Sequence, residues 1–168
     1  RNLHSQLESY APTVIGPNIM ESNHLKGIGC MRSIAKITAE TGDVSSQSKI
    51  LGQILIQLDQ ENITCWSVKS SPSNIDIVVS QQQLQLAENV ISTYLTITNV
   101  DYFSCLISFI GTNDENIVNS KLDEIKSGGV SLTYLNSTNL SVQYIANTDN
   151  IKRLMKILSS IVIEKPNA

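Results

Sequence analysis

The apolar positions of this chain alternate between strand spacing and helix spacing, and the switches fall at turn residues. From Ser33 to Glu40, Ile34, Ile37 and Ala39 sit among polar residues with the composition of a strand, ending at Thr41-Gly42-Asp43, a turn signal. Ser45 and Ser46 follow as helix-capping residues, and Ile50, Leu51, Ile54, Leu55 and Leu58 then recur as the stripe of an amphipathic helix that stops near Asn62. Ile63 to Ser70 reads as extended. Pro72 breaks that run because proline donates nothing to a ladder, and Asn74 to Val79 resumes it with Ile75, Ile77 and Val79 alternating, which makes a hairpin. Gln81 to Tyr94 carries a second helical stripe in Leu84, Leu86, Ala87, Val90 and Ile91, and Leu95 to Val100 is extended again. The order of this stretch is βαββαβ.

The order then recurs. Tyr102 to Ile110 is extended and Asn116 to Lys126 helical, with Gly128-Gly129 as the stop. Val130 to Leu135 and Asn139 to Ile145 form a second hairpin, and Ile151, Leu154, Met155, Leu158 and Ile161 mark a last helix. The repeat is also visible in residues. Ser71-Pro72-Ser73-Asn74 followed by Ile75, Ile77 and Val79 parallels Ser137-Thr138-Asn139 followed by Leu140, Val142 and Tyr144, and each runs into a helix.

The second copy reaches Pro166-Asn167-Ala168 without a closing strand, while a spare apolar segment, Leu25 to Ile28, stands just before the first copy. The economical arrangement pairs that segment as the missing edge strand of the second copy, so that the first is inserted into the second. The expected class is α+β with antiparallel sheets and helices on one face of each. The expected division is a lead-in over 1–23, one domain over 30–100, a second over 24–29 plus 101–163, and a tail over 164–168. Pro12, Gly16 and Pro17 give the lead-in little periodicity, with one short helix expected at Leu3 to Tyr10.

Composition narrows the chemistry. The 168 residues are 41% hydrophobic, enough to bury a core, and only 16% charged with a formal net charge of −3. That balance lacks the basic footprint nucleic acid requires. No stretch approaches a membrane span and the amino end has no signal pattern, so the expectation is a cytoplasmic chain. Cys30, Cys65 and Cys105 are spaced for neither a zinc knuckle nor a disulfide framework and read as reduced core thiols. The two histidines, His4 and His24, are too few and too close to the amino end for a histidine-based centre, so neither catalytic nor metal-ligating residues are assigned. Sequons at Asn62, Asn136 and Asn139 are what a chain rich in Ser, Thr and Asn produces by chance. There is no G-x-x-x-x-G-K-[ST] cradle: Gly27-Ile28-Gly29 is too short, and Gly128-Gly129 follows a helix instead of opening one.

The residues resemble tandem ACT domains, specifically the carboxy-terminal regulatory region of aspartate kinase, over about 24–163. The resemblance is carried by Leu25-Lys26-Gly27-Ile28-Gly29 as the leading strand, by Lys49-Ile50-Leu51-Gly52-Gln53-Ile54-Leu55 with Leu58, Asn62 and Ile63 as the first helix and its exit, and by Ser70 to Val79 as the hairpin. Leu106-Ile107-Ser108-Phe109-Ile110-Gly111 matches the strand that opens the second domain, and Ser137 through Ile161 the closing hairpin and helix. The resemblance implies two ferredoxin-like βαββαβ domains, a homodimer formed through them, and feedback inhibition of aspartate phosphorylation by an end-product amino acid of the lysine or threonine class. ATP and magnesium would belong to a kinase domain preceding these residues. Arg1, standing where a methionine would begin a chain, fits a fragment, and no cofactor is expected in it.

An amino-acid ligand presents a carboxylate and an ammonium, so its site needs backbone N–H groups at a helix start and oxygens facing them. The turn and helix start from Val44 to Leu51 should lie beside the Ser71 to Asn74 turn. By the resemblance, Gln47, Lys49, Ile50 and Leu51 contact effector, with Thr64, Trp66, Ser70 and Ser71 across the interface. Lys49 stands where lysine-sensitive members have glycine and Trp66 where they have aspartate, so the counter-charge for a side-chain ammonium is missing. The competing readings are a core or interfacial aromatic for Trp66, ordinary hairpin polar residues for Ser70 and Ser71, and a solvated helix residue for Lys49. Asp114 and Glu115 read as helix-dipole partners that repel a carboxylate, which leaves the second unit's equivalent site empty. The alternatives to a kinase-linked region are a free-standing amino-acid sensor, the regulatory part of a bifunctional fusion, and an RNA-binding module. The last needs stacked aromatics and positive charge that 5% aromatic content and an acidic balance do not supply.

Overall fold

The computed structural model describes residues 25–42, 46–112, 114–147 and 150–161. The expected lead-in over 1–23, its helix at Leu3 to Tyr10, the capping role of Ser45 and the tail over 164–168 lie outside them. The elements are β1 (Gly27–Glu40), α1 (Gln47–Gln60), β2 (Cys65–Ser70), β3 (Asn74–Ser80), a 3-10 turn (Gln81–Gln83) leading into α2 (Leu84–Ser92), β4 (Thr96–Ile110), α3 (Glu115–Ser127), β5 (Ser131–Thr138), β6 (Ser141–Asn147) and α4 (Ile151–Ser160). The fold is α+β, with antiparallel strands and, among the described residues, four α-helices. None of these helices is long and apolar enough to cross a membrane.

The chain divides into two compact units, residues 33–104 and residues 1–32 with 105–168. The segments expected as separate runs, Leu25 to Ile28 and Ser33 to Glu40, are one strand from Gly27, and Ser33 within it has φ 55°, a left-handed conformation. Leu95 to Val100 and Tyr102 to Ile110 likewise merge into the single strand β4.

In the 33–104 unit the strand order is β2-β3-β1-β4. The antiparallel register sets Ala35 opposite Val79, Ile37 opposite Ile77 and Ala39 opposite Ile75. Period-2 alternation therefore places these apolar pairs on one face, where they meet Ile54 and Leu58 of α1 and Ala87 and Ile91 of α2. The opposite face carries polar pairs instead: Thr38 donates to Asp76 at 2.7 Å, and Lys36 lies 3.2 Å from Asp101. Helix α1 ends in a Schellman motif. Asn62, at φ 57°, donates to the Asp59 carbonyl at 2.9 Å while the Ile63 N–H donates to the Leu58 carbonyl at 2.8 Å, and both apolar side chains enter the core.

In the other unit the order is β1-β4-β6-β5. The Lys26 N–H donates to the Ile110 carbonyl at 2.7 Å, and Leu25, Ile28 and Cys30 are buried with Cys105, Ile107 and Phe109 of β4, Leu122 and Ile125 of α3 and Leu154 of α4. Helix α3 stops through Gly129 at φ 81°, whose N–H donates to the Lys126 carbonyl at 2.8 Å. That backbone conformation costs glycine nothing because it has no Cβ.

Candidate functional site

The chain lays out the end of β1, the start of α1 and the β2–β3 turn as one polar cluster inside the 33–104 unit. The turn is closed by the Ser71 N–H donating to the Asn74 carbonyl at 2.9 Å. The Ser71 hydroxyl donates toward Asn74 Oδ1 at 2.6 Å and accepts from the Asn74 N–H at 3.3 Å, so serine and asparagine lock the turn between them. Thr41, buried beneath it, ties the turn to the strand end: its N–H donates to the Ser73 carbonyl at 3.1 Å and its hydroxyl to the Pro72 carbonyl at 3.2 Å. Gln47, the first residue of α1, reaches across and donates through Nε2 to Ser70 Oγ at 2.8 Å and to the Ser71 carbonyl at 2.6 Å.

Among the described residues, helix α1 begins without a side-chain cap. Ser46 occupies the cap position at φ −132° and ψ 44°, but its hydroxyl makes no cap hydrogen bond, contrary to the expectation from sequence. Its conformation is not the extended one in which a serine oxygen folds back onto the first turn; its carbonyl instead accepts from the Ile50 N–H at 3.1 Å. The first turn has no acidic side chain, and the positive end of the helix dipole lies there. That is chemistry suited to a carboxylate.

The expected site residues separate along β2. Gln47, Ser70 and Ser71 come together at the α1 start. Ile50 and Leu51, half-buried, pack against the core and Lys49 is exposed. Thr64 and Trp66 belong to the other end of the strand, where the Thr64 N–H donates to Gln83 Oε1 at 3.4 Å and the indole N–H of Trp66 donates to Ser80 Oγ at 3.1 Å. The indole donor is thus used within its own unit. Between them, burial pushes the Cys65 thiol up to about 11.

A second feature of the same unit was not anticipated. Glu40, Thr41, Gly42 and residues 92–96 line an open polar cleft of about 370 Å³, and none of the eight expected residues lines it. Its only sequence signal is the Thr41-Gly42 turn, which marks a strand end without indicating a cavity. No group of His, Cys, Asp and Glu able to hold a metal ion occurs among the described residues.

The corresponding helix of the other unit starts differently. Asp114 caps α3 by accepting from the Asn116 N–H at 2.9 Å, Glu115 sits in the first turn, and the buried Thr112 hydroxyl accepts from the Asp114 N–H at 2.9 Å.

No family model matches the chain, and no curated protein sequence matches it either. Solved structures do. The ligand-free regulatory subunit of aspartate kinase from Thermus thermophilus superposes with a TM-score of 0.63 at 11% identity, covering 81% of this chain and 97% of that one. This is the fold of an aspartate kinase regulatory region. A putative C-terminal regulatory domain of aspartate kinase from Porphyromonas gingivalis has the same fold, with a TM-score of 0.59 at 14% identity over 79% of this chain and 94% of that one. E. coli aspartokinase III in complex with lysine and aspartate matches with a TM-score of 0.60 at 11% identity over 94% of this chain, which spans 40% of that protein.

Proposed function

We propose that this chain is the allosteric, amino-acid-binding regulatory region of an aspartate kinase, built as two ferredoxin-like ACT domains with the first inserted into the second. The observation that carries it is the strand segment before residue 33: it hydrogen-bonds β4 through Lys26 and Ile110 and buries Leu25 and Ile28 with the residues that follow Cys105. Each unit thereby acquires the strand order of a βαββαβ domain.

The effector's α-carboxylate would sit on the uncapped N–H groups of α1, with the Gln47 carboxamide, Ser70 and Ser71 beside it. Ile50 and Leu51 would supply apolar contact, and Lys49 a rim charge. Thr64 and Trp66, at the far end of β2, would reach the ligand from a second copy in a homodimer. An indole in place of a carboxylate favours an uncharged effector side chain, hence the threonine end of the lysine-or-threonine class. Binding would favour one arrangement of paired domains and so shift the population of the attached kinase between active and inactive forms, in a cytoplasmic enzyme of amino-acid biosynthesis. The ATP and magnesium chemistry is that of the kinase domain.

A second reading is a free-standing amino-acid sensor of the same fold, and both readings make the same ligand claim. Calorimetric titration with lysine, threonine, methionine and S-adenosylmethionine tests the shared claim. Saturable binding of one of them, lost when Gln47 and Ser70 are both replaced by alanine, is the expected result. Heat-silent titrations with all four at millimolar concentration would sink the effector assignment.

A further inference from the structure

Two cysteines not used by the proposed function meet in the core of the unit that contains residues 25–32 and 105–161. Cys30 lies on β1 and Cys105 on the adjacent, hydrogen-bonded strand β4. Both are buried in one cluster with Ile28, Ile107 and Phe109. Neither is in a disulfide, and the third cysteine, Cys65, belongs to the other unit.

We propose that Cys30 and Cys105 form a reversible dithiol–disulfide site that, when oxidised, ties the early strand segment covalently to β4. The two sulfurs are inequivalent in a way that sets the order of events. Cys30 is 9% exposed and Cys105 fully buried, so a small oxidant reaches Cys30 first. The neighbouring Cys105 side chain, and to a lesser degree the charge of Arg32, also hold the Cys30 thiol below its ordinary range against the effect of burial, while the neighbouring Cys30 and burial push Cys105 up.

With a low-molecular-weight disulfide as oxidant, the Cys30 thiolate attacks one of its sulfurs, and the bond between them breaks as a thiolate leaves and takes a proton. Cys105 then gives its proton to solvent and attacks the Cys30 sulfur, expelling the second small thiol. The protein loses two electrons and two protons, and the small disulfide becomes two thiols. The product closes residues 31–104 into one covalent loop, and a cross-link stabilises a fold by restricting the unfolded chain. Oxidation would thereby fix the segment on which the unit's edge depends.

The test is incubation of the full chain with oxidised glutathione, then thiol counting in denaturant and peptide mapping without reductant. The expected result is a fall from three thiols to one, a single linked pair containing Cys30 and Cys105, a higher melting temperature, and reversal of all three by dithiothreitol. Cys105→Ser should instead retain glutathione on Cys30, and Cys65→Ser should still form the link should the first variant fail to fold. An unchanged thiol count, a lasting glutathione adduct on Cys30 in the unmodified chain, or links through Cys65 would each overturn the proposal.

Discussion

The helices that open the two units begin in opposite ways. Helix α3 starts on the carboxylate of Asp114, which accepts from the Asn116 N–H, with Glu115 beside it. Helix α1 starts on a serine whose hydroxyl caps nothing and has no acidic residue in its first turn. The same topological position is therefore filled by the protein's own anion in one unit and, among the described residues, by no anion in the other. A duplicated fold can keep its packing in both copies while the helix starts diverge, because a cap satisfies terminal backbone donors without touching the core.

The largest expected effect concerns how the units depend on the early strand. Deleting residues 25–30 should abolish hydrogen-exchange protection in 105–110 and in α3 while leaving 33–40 and α1 protected, since Leu25, Ile28 and Cys30 are buried only with the first set. Ile28→Ala, a milder form, should lower stability by about 2–5 kcal/mol in urea unfolding. Equal loss of protection in both units would remove the distinction between them.

Next comes the pair of helix starts. Asp114→Ala should cost about 1 kcal/mol, whereas Ser46→Ala should cost at most a few tenths, because only the first removes a hydrogen bond that exists. Ser46→Asp should stabilise α1 slightly and weaken amino-acid binding by calorimetry, making the first unit resemble the second. Gln47→Ala removes the bonds to Ser70 and Ser71 and should cost about 0.5–1.5 kcal/mol, read as a lower urea midpoint.

The smallest effect separates the solitary thiol of one unit from the thiol pair of the other. Burial raises Cys65 to about 11 from an ordinary 9.0. A group whose folded value lies above its unfolded one contributes stability that is present below the unfolded value and is lost as pH rises through the folded one. Urea midpoints should accordingly decline between about pH 9 and 11, and Cys65→Val should flatten that part of the profile.

Much of the fold was legible in residue order. The stripe from Ile50 to Leu58, the Ile75-Ile77-Val79 alternation and the Gly128-Gly129 stop became α1, β3 and the end of α3, because period and turn chemistry act locally. The cap role given to Ser46 did not, since a serine's propensity says nothing about the backbone angles its neighbours impose. The candidate site was legible as residue types and only partly as a place. Gln47, Ser70 and Ser71 converge, while Trp66 is held by Ser80 at the other end of β2, a separation that four positions along a strand conceal until the partners of each are known. The cleft at Glu40 and Thr41 left no sequence trace, being a space between segments distant in the chain.

By itself the sequence determined the alternation of strands and helices, the repeat, and the imbalance that left one copy a strand short, since each follows from side-chain spacing within a few residues. Only the tertiary structure decided that β1 runs unbroken from Gly27 to Glu40, that Cys30 and Cys105 share one buried cluster, and that Asp114 caps its helix while Ser46 does not cap its own. Those features depend on which distant backbone groups meet, and local preference carries no information about a partner seventy residues away.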